Sequence, residues 1–164
     1  MDFDVDRLRG QHFSLGDLFA RHQEALVDRR WAEAARLLGE YGQRLLEHID
    51  FEERHLLPRC DVVGPARWPS AVYRAEHRRI EQLLRKAADR LTHARRSAVT
   101  SAVLVSLLDD ERTLKRLLEH HHEREEQALF VELRDATSGA GPPAADIEAG
   151  HRDGVKAPRR GAGA

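Results

Sequence analysis

The chain has 164 residues, with 27 Lys+Arg against 28 Asp+Glu and a net charge of −1. That length suits one domain with a real core, and the balanced charge argues against a nucleic-acid surface, which needs a basic excess. The single cysteine, Cys60, excludes an intramolecular disulfide framework and suits a reducing compartment.

No apolar run reaches membrane-spanning length, and the start Met1-Asp2-Phe3-Asp4-Val5-Asp6 is too acidic for a signal peptide. A soluble, cytoplasmic protein with no membrane partner is expected. The unusual count is ten histidines, because imidazole is the commonest metal-binding side chain.

Gly and Pro are sparse in long periodic stretches, which predicts an all-α helical bundle. The first helix is expected from about Asp6 to Asp28, with an apolar stripe of Leu8, Leu15, Phe19 and Leu26, and with His12 and His22 near the same face. Gly10 and Gly16 weaken its start, and Arg29-Arg30 is the expected turn. The second helix should run from Trp31 to Leu57, where Pro58 ends it, because proline disfavours helix at the residue before it.

Asp61 to Trp68 reads as a loop, and Pro69 as the first turn of a third helix reaching Arg95. A turn near Arg96-Ser97 leads to the fourth helix, with a short separate piece through Val105 and a fading end near Asp135. Four long helices with short connections predict up-down-up-down topology over residues 1–136. Residues 137–164 are Gly/Ala/Pro-rich, with too little apolar content to pack, and are expected to form a disordered tail.

Two segments repeat. His48-Ile49-Asp50-Phe51-Glu52-Glu53 and His121-His122-Glu123-Arg124-Glu125-Glu126 each place His and Glu four apart, on one helix face, ahead of two large apolar residues. His120 and His122 flank this stripe, as surface residues or outer partners.

In antiparallel neighbours, residues at one height have their turn at their sequence midpoint. For His48 and His77 that midpoint falls between Val62 and Val63, for His77 and His121 at Val99, and for His12 and His48 at Arg30. All are on or near expected turns. For His22 and His48 it is Ala35, inside a helical pattern, so the register favours His12. His22 then sits roughly 15 Å below the site, near the height of Glu111.

Tyr73 falls level with Glu52 and Glu125, while Glu81 falls level with Arg44 and Leu117. One layer therefore gathers His12, His48, His77, His121, Glu52 and Glu125, with Tyr73, His22 and Glu81 as further candidates for its inner or outer ring. Imidazoles and carboxylates together suit Fe, Mn or Zn, and two carboxylates can bridge neighbouring ions. A ferritin-like site would use Glu-x-x-His on two helices. Glu52-Glu53-Arg54-His55 and Glu119-His120-His121-His122 match that pattern, but out of register with each other.

Over roughly Leu8 to Asp135 the sequence resembles the hemerythrin-like (HHE cation-binding) domain family. The motifs that carry the likeness are His12, His48-x-x-x-Glu52-Glu53-x-x-Leu56-Leu57-Pro58, Glu76-His77-Arg78-Arg79-Ile80 and His121-x-x-x-Glu125-Glu126-x-x-Leu129-Phe130. The resemblance implies a non-haem di-iron centre, with Glu52 and Glu125 bridging. His12 and His48 would serve one iron, His77 and His121 the other.

Two departures stand out. Tyr73 occupies a position that is histidine in oxygen carriers, and His121-x-x-x-Glu125 replaces their usual His-x-x-x-x-Asp. The resemblance then implies O2, peroxide or NO at a partly open iron, in sensing, scavenging, oxidative-stress defence or modest peroxide consumption. His22, which some relatives match with a histidine, stays a rival to His12. Iron storage or delivery is the main alternative, and a metal-free helical interaction module a further one. The sequence names no protein partner.

Overall fold

A computed structural model of the chain describes residues 4–63, 67–96 and 99–137. Residues 138–164, nearly all of the expected tail, lie outside the described residues. The described chain is an all-α bundle, and no strand occurs among the described residues.

Helix α1 (Val5–Val27) begins at Asp4, whose carboxylate accepts the Arg7 amide proton at 3.1 Å. That cap satisfies one of the orphan donors of the first turn. The helix runs unbroken through Gly10 and Gly16. It ends at Arg29, whose φ of 59° and the Arg30 N–H to Ala25 carbonyl bond at 2.8 Å close a left-handed cap at the expected turn.

Helix α2 (Trp31–Phe51) does not stop before Pro58. It widens into a π turn over Glu52–Leu56 and continues as α3 (Leu57–Val63). In α geometry the Pro58 ring would strike the carbonyl of residue 54. The π turn, in which the Leu57 amide reaches the Glu52 carbonyl, re-aims the carbonyls and lets the helix pass its proline.

Helix α4 (Ser70–Ala94) has Pro69 as its N-cap rather than within its first turn. Helix α5 (Ser101–Arg124) is one piece from its Thr100 cap, with no separate segment ending at Val105. It too passes through a π turn, Glu125–Leu129, into α6 (Phe130–Thr137).

Neighbouring helices pack as α1 on α2, α2 on α4, α4 on α5 and α5 on α1. Their apolar stripes form two separate clusters. The larger contains Leu15, Phe19, Leu45, Ile80, Leu84 and Leu114. The smaller contains Leu8, Leu56, Leu57, Tyr73, Leu129 and Phe130. A layer of buried His and Glu lies between them.

Candidate metal centre

Each helix supplies this layer through its own spacing. His48 and Glu52, and likewise His121 and Glu125, stand one turn apart, with nitrogen-to-oxygen distances of 3.0 and 3.1 Å. His77 reaches Glu52 at 3.4 Å and His12 reaches Glu125 at 3.4 Å, each from a neighbouring helix. His12 and His48 bring their Nε2 atoms to 3.0 Å, and His77 and His121 to 3.1 Å. All six side chains are buried.

The pattern has an internal two-fold. The outer nitrogen of His12 meets Glu126 at 2.8 Å, and that of His77 meets Glu53 at 3.0 Å. His48 Nδ1 meets Gln11 at 3.1 Å, and His121 Nδ1 meets Glu76 at 3.0 Å. An ionised carboxylate only accepts, so it holds the ring proton on Nδ1. Each Nε2 then turns a lone pair inward.

Nitrogen lone pairs and carboxylate oxygens thus converge with nothing to donate between them. All four oxygens of Glu52 and Glu125 are buried without a hydrogen-bond partner. Acceptors packed this way require cations, either protons or metal ions. Within each of two groups, His12/His48/His122/Glu125 and Glu52/His77/His121/Glu125, one ligand atom per residue lies within 4.8 Å of the others. That span is near the roughly 4.2 Å between opposite donors around an ion with bonds of about 2.1 Å. The donor set fits a pair of Fe, Mn or Zn ions.

Without such ions the centre draws in protons. Burial opposes a charged His121 ring, but the charge of Glu125 and the contacts with Glu125 and Glu76 push its pKa up to about 10. His12 is likewise raised, against its burial, by Glu125 and Glu126. Burial favours neutral Glu125, yet the charge of His121 and the contacts with His12 and His121 hold its pKa well below 4.5.

The structure separates the remaining candidates. Tyr73 is fully buried, its ring 6.3 Å from that of His121 and its hydroxyl unpartnered. His22 lies outside the layer, with its ring nitrogens at 2.9 Å from Glu111 and 2.8 Å from the Ala34 carbonyl. Glu81 is not part of the site. It lies one turn beyond His77, on a groove lined by Gly39, Gly42 and Leu84. His55 of the first Glu-x-x-His match and Glu119 of the second are exposed, so that pattern is not assembled in space either.

His122 belongs to the layer more closely than its place beside the stripe suggested. Its ring stacks on His12 at 3.8 Å and 5°, and its Nε2 is buried without a partner. One ion cannot lie in the planes of two parallel rings, so in this geometry His122 covers His12 rather than sharing its ion. Burial, with repulsion from His12, drives its pKa down to about 2, which keeps the ring neutral.

The family model for the hemerythrin HHE cation-binding domain matches residues 4–112 and again residues 69–159. The chain belongs to the hemerythrin HHE cation-binding domain family. The second match begins as far beyond the first as His77 lies beyond His12, in keeping with the two-fold of the site. No curated protein and no solved structure matches the chain.

Proposed function

We propose that this chain holds two iron ions between Glu52 and Glu125 and binds O2, peroxide or NO there, for sensing, scavenging or detoxification. The observation that carries the reading is the convergence of four imidazole nitrogens and two carboxylates with no donor among them. Iron in such a set supplies redox chemistry and an acid site for a small ligand. Glu52 and Glu125 would bridge, since each touches histidines of both halves. His12 and His48 would hold one position, His77 and His121 the other.

Apolar clusters wall the centre on two sides. Tyr73 offers a buried hydroxyl as donor to a bound oxygen or as a further ligand. Mn or Zn would suit the same donors.

The test is metal content after anaerobic iron loading. Wild type should carry about two ions per chain, Glu125→Gln should lose most of both, and His48→Ala should lose one. Well under one ion in wild type would sink the reading. A second reading, iron storage and delivery, draws on a groove lined by His48, Gln11 and Arg7, through which an ion could leave.

A further inference from the structure

The four histidines are braced unequally. Behind His12, His77 and His121 stand Glu126, Glu53 and Glu76. Each of these carboxylates is in turn met by an arginine, Arg9 at 3.7 Å, Arg74 at 3.9 Å, and Arg124. Behind His48 stands only the amide of Gln11. Gln11 and Glu76 are two-fold counterparts: each precedes a histidine of its own helix and braces one on the next. Gln11 and His48 also line a groove of about 660 Å³ with Arg7, Arg44 and Glu47.

A carboxylate behind an imidazole raises its basicity as a ligand and fixes its ring, and losing such a partner costs about 10–100-fold in metal affinity. An amide fixes the ring but brings no charge. Resting on the two-metal reading above, we propose that the centre is unequal by construction. The ion held by His77 and His121 is retained, the ion held by His12 and His48 exchanges, and Gln11 sets the difference. Arg7 and Arg44 in the groove would receive an anionic acceptor for the departing ion. The arginines withdraw charge unequally, since Arg124 touches Glu76 directly while Arg9 and Arg74 stand 3.7 and 3.9 Å from Glu126 and Glu53. Each of the three braces is still a carboxylate, where Gln11 is a neutral amide.

Cobalt(II) titration of the metal-free protein, followed by visible absorption with a competing chelator, tests this. Wild type should fill in two steps separated by about 10–100-fold. Gln11→Glu should tighten the weaker step and draw the two together, while Glu76→Gln should weaken the tighter one. Independently of any variant, the ring N–H resonance of His48 in the cobalt protein should exchange with solvent faster than those of His12, His77 and His121. Equal steps in wild type would overturn the proposal, as would a folded Gln11→Glu protein with unchanged steps, or four ring protons exchanging alike. Wild type that takes up less than one equivalent would instead sink the two-metal reading itself.

Discussion

Tyr73 also makes the two halves of the site chemically different, because its two-fold counterpart is Leu8, an apolar side chain in the same small cluster. A buried hydroxyl without a partner costs about 1–3 kcal/mol. Burial and the nearby charge of Glu125 also push its pKa upward, so the phenol keeps its proton in the metal-free fold. Tyr73→Phe is therefore expected to stabilise metal-free protein by about 1 kcal/mol. If the hydroxyl meets the metal or its ligand, loading should stabilise wild type more than the variant. Urea unfolding of both proteins in both forms gives the comparison. An equal gain on loading would show that the phenol takes no part.

At the scale of elements, the two π turns start at Glu52 and Glu125. Proline is not their common cause: the counterpart of Pro58 on the other strand of the repeat is Val131. Both turns follow His-x-x-x-Glu-Glu, so the slip in backbone bonding goes with placing Glu52 and Glu125 inward. Val131→Pro should then cost well under the roughly 3 kcal/mol of a helix-interior proline, because the backbone there already resembles the one that admits Pro58. Chemical denaturation would check it, and a full-sized loss would show that the second turn is not equivalent.

These turns mark the limit of what the sequence revealed. Side-chain periodicity registers which face is apolar, so the heights of His12, His48, His77 and His121 could be read from midpoints. A one-residue change in backbone bonding leaves that pattern intact, and Pro58 read as a stop only because α geometry was assumed beyond Phe51. The bracing of His48 by Gln11 and of His121 by Glu76 was hidden for another reason. It depends on which way a residue beside the stripe turns across to the next helix, as does the stacking of His122 on His12. The buried His22–Glu111 contact was legible, since it needed height alone.

For the molecule as a whole, the acceptor layer sets how stability follows pH. His121, raised to about 10, contributes stability that is complete below its ordinary 6.5 and is lost as pH climbs through about 10. Glu125, lowered well below 4.5, contributes above that value and loses it as pH falls through its folded pKa. Metal-free protein should be most stable between about pH 4.5 and 6.5. Metal ions displace the ring protons, so the stabilisation they bring should grow as pH rises from about 6 to 9. Thermal midpoints of both forms across that range would show it. A gap that narrows with pH would mean that the rings are not protonated in the metal-free centre.

The division of the apolar interior has a mechanical consequence. The small cluster around Leu56, Tyr73 and Phe130 is joined to the large one through a polar seam of buried His and Glu that, without metal, only ring protons hold together. Before loading, that end of the rod is expected to open by itself, with amides of α3 and α6 exchanging with solvent ahead of those in the middle of α2 and α4. Ions seated across the seam would act as rivets, and the two apolar blocks would then melt as one.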